Sequence, residues 1–189
     1  MIARAPNPGW APHAVLVATL LLPQLAGCGP ARNQFAPACP RPAFLSDAAD
    51  LDIYRPGVAP GGSHDITDLV LHARIVGVSG NCRPGDNKDQ LATTVTVGVE
   101  LTRGPSMQGR DIDVPVFVAV TEGETILDKR VYQVHATFPS NVDRMTFTTG
   151  DIAMTLPIST AKSGAAYSIL TGFQLSPDQL MQNRRSHAS

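Results

Sequence analysis

From Thr94 to Thr102 the chain alternates without a break. Val95, Val97, Val99 and Leu101 point one way, and Thr94, Thr96, Gly98, Glu100 and Thr102 point the other. A period of two suits an extended strand with one face in a core and the other in water, and it is wrong for a helix. One clean face also argues for antiparallel pairing, because parallel strands are covered on both sides. Arg103-Gly104-Pro105 ends the run. This strand fixes the expectation for everything around it.

Further runs follow the same rule. Leu69, Leu71, Ala73 and Ile75 share one face, with His72 and Arg74 on the other, before the segment GNCRPGDNKD (80–89) reads as a loop. Val114, Val116, Val118 and Val120 alternate, while Phe117 and Ala119 on the second face suggest a more central strand. Glu122-Gly123-Glu124 reads as a hairpin turn into Thr125–Phe138, where Tyr132, Val134, Ala136 and Phe138 face in. Met145 with Phe147, then Ile152, Met154, Leu156 and Ile158, then Tyr167 to Leu175 complete the set. Ala43 to Tyr54 reads as a short edge segment, followed by the turn-rich RPGVAPGGSHD. About seven short strands without a long helical period predict an all-β, antiparallel β-sandwich, with a small β-barrel as the alternative.

The end of the chain carries a helix signal. Ser176 as N-cap, Pro177 at the first helical position and Gln179 three residues after the cap form a capping box. Leu175 and Leu180 occupy the staple positions, and Arg184 and Arg185 favour the C-terminal end of the dipole. The spacing predicts a helix over 177–185 and a frayed tail at 187–189.

At the other end, the apolar run AVLVATLLL (14–22) is far shorter than the ~20 residues of a membrane-spanning helix, but suits the core of a signal peptide. Leu25-Ala26-Gly27-Cys28 closes it and resembles the lipobox of bacterial lipoprotein precursors. That resemblance implies cleavage before Cys28, a diacylglycerol on its thiol and a fatty acyl chain such as palmitate on the new amino terminus. A plain secretory signal cut at Ala26 or Gly27 is the alternative. By the enterobacterial sorting rule, Gly29 rather than aspartate after the cysteine implies the outer membrane, with the inner membrane or the cell surface as alternatives. Residues 1–27 are then the signal peptide. Residues 28–50 are the lipidated cysteine and a Pro-rich tether, of which 29–42, with Pro30, Pro37, Pro40 and Pro42, read as stiff extended chain rather than helix or strand. The body spans 51–186.

The resemblance also settles the cysteine arithmetic. Of Cys28, Cys39 and Cys82, lipidation consumes the first and leaves a pair. A Cys39–Cys82 disulfide is the expectation in an oxidising periplasm, closing a loop of about 40 residues worth roughly 3–4 kcal/mol. Two buried thiols are the alternative, and the spacing fits no zinc pattern. Without the leader, which carries Arg4 alone, 14 basic side chains face 16 acidic ones. A nearly neutral chain with no basic cluster has no footprint for nucleic acid and no polybasic patch for anionic lipid heads. Trp10 lies in the leader, so the body has no tryptophan for a sugar platform.

Candidate chemistry is sparse. No G-x-S-x-G occurs, and no cysteine remains to act as a nucleophile. His64 lies in a turn and His187 in the tail, while His72 and His135 fall on polar strand faces and read as solvated; a hydrolase needs both to converge with a carboxylate. Asp86-Asn87-Lys88-Asp89 lacks the ligand spacing of an EF-hand. His135 with Met145 and Met154 is the one set that could hold copper, but both methionines alternate with core positions. No glycine-rich loop opens a helix to cradle phosphate. No catalytic residue, metal or cofactor is expected. The outer apolar positions Phe117, Ala119, Val70 and Val76 read as covered by another layer, or as a patch for a partner.

Two local patterns resemble known families. Gly164-Ala165-Ala166-Tyr167 resembles the tyrosine corner of immunoglobulin-like domains, in which a tyrosine hydroxyl bonds the preceding connection. Cys39-Pro40, the GNC at 80–82 and GFQLSPDQL at 172–180 resemble a group of small proteobacterial envelope lipoproteins, and this implies no catalytic residues. The expectation is an immunoglobulin-like sandwich, anchored in the membrane through Cys28 and facing the periplasm. Its expected role is that of a non-enzymatic binding or assembly accessory for another envelope protein. A lipid-handling or small-ligand-binding lipoprotein is the alternative, ahead of a hydrolase or a copper-binding protein.

Overall fold

A computed structural model of the chain describes residues 38–57 and 65–188. Cys28, the leader, most of the tether and His64 lie outside them. Nine strands and one helix follow in order: β1 (Arg41–Phe44), β2 (Asp50–Tyr54), β3 (Leu69–Pro84), β4 (Gln90–Arg103), β5 (Asp111–Glu122), β6 (Thr125–Thr137), β7 (Arg144–Thr148), β8 (Ile152–Pro157), β9 (Ser168–Phe173) and α1 (Pro177–His187). They form two sheets packed as a sandwich. One runs β1-β9-β5-β6, and the other runs β2-β3-β4, with β7 and β8 sharing the far side of β4.

The alternation in β4 is the spine of the second sheet. Val95, Val97, Val99 and Leu101 are fully buried, and the residues between them are half-buried. Opposite them, Val114, Val116 and Val118 of β5 and Ile169 and Phe173 of β9 supply the other half of the core. The second face of β5 is covered too. Phe117 and Ala119 pack with Ala48 and Leu175, from the single 3-10 turn after β1 and from the connection to α1. Gly172 permits that cover, since a Cβ there would lie 2.6 Å from the Phe117 ring and 2.8 Å from the Ala48 methyl. Val70 is half-buried against the core, whereas Val76 is 51% exposed.

Val76 marks a β-bulge. Ile75 pairs with Val99, and Gly77 pairs with Gly98, so Val76 has no partner across the ladder. An extra residue flips every later side chain to the opposite face. Before it the odd positions Leu71, Ala73 and Ile75 are buried; after it Val78 and Cys82 turn toward the core. The loop expected over 80–89 is therefore strand as far as Pro84, and only 85–89 turn. The alternation never stops there; it changes phase.

The tether expectation is also corrected within the described residues. Arg41–Phe44 is a strand, paired in parallel with Ser168–Thr171 of β9. Pro42 is tolerated because β1 is an edge, where a missing N–H breaks no ladder. The chain then crosses from the first sheet to the second, β2 pairing with β3. The Cys39–Cys82 disulfide is present and fastens the start of β1 to the end of β3. At the opposite terminus the helix runs through His187, two residues beyond the expected end. Its capping box is formed, the Gln179 N–H donating to Ser176 Oγ at 3.3 Å and the Ser176 N–H to Gln179 Oε1 at 2.8 Å. The helix buries no residue completely and docks through polar groups: Asn183 Nδ2 donates to the Asp47 and Asp50 carbonyls, and Gln179 Nε2 to that of Asp52. These contacts seat it on β2 and the turn before it.

Candidate functional site

The two long sides of the sandwich differ. On one, β1 lies against β3 and the disulfide closes the seam. On the other, β6 and β8 are the edges of their sheets, and a cleft of about 700 Å³ opens between them. That volume lies within the range of sites that hold small ligands or side chains of a partner. β5 contributes Val118 and Val120 to the lining, β8 contributes Met154 and Leu156, and Tyr167 comes from the turn before β9. Leu127, Asp128 and Arg130 of β6 form one lip, and Arg83 and Asp86 at the β3–β4 turn form another. Arg130 Nε lies 3.1 Å from Asp128 Oδ2.

Tyr167 anchors the closed end. Its hydroxyl donates a 2.6 Å hydrogen bond to the Pro157 carbonyl at the end of β8, the bond expected of a tyrosine corner. The Lys162 ammonium sits 4.4 Å above its ring and 2.6 Å from Glu122 Oε2. Both contacts hold the Lys162 charge and push its pKa up, the Glu122 bond most.

Thr93 is the anomaly in the lining. It occupies the inward phase of β4 between Leu91 and Val95, is 3% exposed, and stands opposite Cys82 on one side and Met154 on the other. Its hydroxyl has no hydrogen-bond partner among the described residues. Buried polar groups are almost always paired, and an orphan calls for a reason. Reading the strand from Thr94 missed it. The signal was a hydroxyl in the inward phase of a valine stripe.

The other candidate residues stay apart. His72 lies on β3 and His135 on β6, in different sheets. Each is held by the aspartate directly across its ladder: His72 Nδ1 to Asp52 Oδ1 at 2.7 Å, and His135 Nδ1 to Asp113 Oδ1 at 2.9 Å. The bond from Asp52 raises the pKa of His72 against the opposing effect of burial. Among the described residues no serine, threonine or cysteine side chain hydrogen-bonds either ring. Met145 pairs with Leu101 and Met154 with Thr93, eight positions apart on β4, which is about 26 Å along a strand. Both pack into the core and His135 is on the other sheet, so the three do not form a copper site. Asp86 and Asp89 flank an exposed turn.

Comparison of the chain with protein-family models, with curated proteins and with solved structures finds no match.

Proposed function

We propose that this chain is a lipid-anchored protein of a bacterial envelope, held in the outer membrane through Cys28 with its body in the periplasm. In this reading it acts without catalysis, as a binding or assembly accessory for another envelope protein. The lipobox Leu25-Ala26-Gly27-Cys28 supports the anchor, and the Cys39–Cys82 disulfide suits an oxidising compartment. The observation that carries the reading is the contrast between the two sides of the sandwich. The side that carries Cys39, eleven residues after Cys28 in the sequence, is stapled by the disulfide, while the opposite side leaves two strand edges and a cleft open. A body bridged by a disulfide at one seam and open at the other is suited to holding something.

The test is a crosslinking pull-down of the full chain from intact membranes, beside a Cys28→Ala form. One reproducible envelope protein, recovered with the anchored form and reduced severalfold with Cys28→Ala, is the expected outcome. Recovery of no partner with either form removes the accessory reading.

A further inference from the structure

Natural sheets protect their edges, because a row of unpaired N–H and C=O groups invites another strand; charged side chains, proline, bulges and covering segments are the usual devices. Four of the edge strands here carry charge. β1 has Arg41 and Pro42, β6 has Lys129 and Arg130, and β7 begins at Arg144. β2 has Asp50 and Asp52 and lies beneath α1. β8 is the exception. Its sequence IAMTLP has no charged residue, its register against β4 has no bulge, and Pro157 stands only at its last position. No strand among those described pairs with its other side, which borders the cleft.

We propose that β8 takes, as an added strand, an extended uncharged segment of a partner protein, whose side chains fill the cleft over Val118 and Val120. This rests on the accessory reading above and names the chemistry of its partner. Strand addition gains main-chain hydrogen bonds from the edge and specificity from alternate side chains in pockets. The cleft is the pocket. Thr93 lines its floor with a buried hydroxyl that has no partner among the described residues and can donate to, or accept from, an inserted polar group. The lips balance Arg83 and Arg130 against Asp86 and Asp128, which favours a segment without net charge. A second copy of β8 fits worse. Its inward residues Ile152, Met154 and Leu156 already pack in their own core, so two paired copies would extend the sheet and leave both clefts unfilled.

The probe is a library of random seven-residue peptides displayed on phage, selected on the immobilised full chain. The expected result is enrichment of peptides that alternate apolar with small polar residues. A synthetic peptide of the enriched sequence binds, and N-methylation at every second residue abolishes binding while methylation of the intervening residues does not. Met154→Lys, which aims a charge into the cleft from β8, weakens binding at least tenfold. Thr93→Val keeps the side-chain shape, preserves the fold, and weakens binding severalfold. No enrichment, tolerance of N-methylation at every position, or equal binding by wild type and Thr93→Val overturns the proposal. A crosslinked envelope partner that both variants retain also overturns β8 as the seat, yet leaves the accessory reading standing; a partner lost from both supports β8.

Discussion

His72 and Asp52 face each other across the β2–β3 ladder, Nδ1 to Oδ1 at 2.7 Å. Asp50 approaches the same ring at 3.8 Å from Nε2, and it also accepts a 2.6 Å bond from Arg74 Nε. His187 of α1 stands 3.8 Å from the other oxygen of Asp50. The Asp52 bond lifts the His72 pKa above its usual 6.5. A group whose pKa is raised on folding gives stability that is complete below the unfolded value and is lost as pH climbs through the folded one. Chemical unfolding is therefore expected to become easier as pH rises from 6.5 through the raised folded value, by about 1 kcal/mol or less for a partly exposed pair. His72→Gln should flatten that part of the profile. An unchanged slope in the variant would assign it to other groups.

The disulfide closes a separation of 43 residues. By loop entropy that is worth about 4 kcal/mol. The double replacement of Cys39 and Cys82 by serine should lower the denaturant midpoint by a corresponding amount. The loss should be uneven. β1 is a four-residue edge strand, held otherwise by its parallel pairing to β9. Hydrogen exchange at Ala43, Phe44 and Leu45 is expected to speed up before exchange in β4 does. Uniform acceleration across both strands would mean that the bridge holds the whole body, not the seam.

The parts of this fold that were legible in the sequence are those in which one local rule acts alone. β4 alternates through the centre of its sheet and is read directly. The capping box of α1 and the Tyr167 corner are satisfied within a few residues, so short motifs suffice. Three features depend on distant partners. The bulge at Val76 shifts the phase of β3, and only the β4 register reveals that the strand continues. Arg41–Phe44 is proline-bearing chain that becomes strand because β9 offers it an edge. The cleft exists because β6 and β8, in different sheets, both end the sandwich on the same side. The pairing of His72 with Asp52 and of His135 with Asp113 has the same origin, since cross-strand neighbours are set by register rather than by spacing.

Gly172 tests the layer on the outer face of the first sheet. A methyl group there would meet the Phe117 ring and the Ala48 side chain well inside contact distance. Neither can retreat easily, because Phe117 is 7% exposed and Lys129 sits 4.6 Å above its ring. Gly172→Ala is expected to destabilise by about 1–3 kcal/mol, the range for overpacking a filled core. Adding Phe117→Leu should recover part of the loss, which a double-mutant cycle by chemical denaturation reads out. Additive effects would show that the strain lies elsewhere.

Thr93 makes opposite predictions for stability and for binding. Its hydroxyl is buried without a partner, so the folded chain bears the desolvation penalty of that group, about 1–3 kcal/mol. Valine has the same branched shape and no hydroxyl, so Thr93→Val should raise the unfolding free energy by about 1 kcal/mol or more, and the denaturant midpoint with it. Thr93→Ser keeps the hydroxyl and removes a methyl from a packed position, so it should lower the midpoint instead. A structural role for the hydroxyl would reverse the first result, because valine would then break a contact. If stability rises in Thr93→Val while peptide binding at the β8 edge falls, the hydroxyl is retained for a partner and not for the fold. Both quantities can be measured on one preparation, by denaturant titration and by peptide binding. Unfolding at a lower denaturant concentration than wild type would refute the orphaned-hydroxyl account.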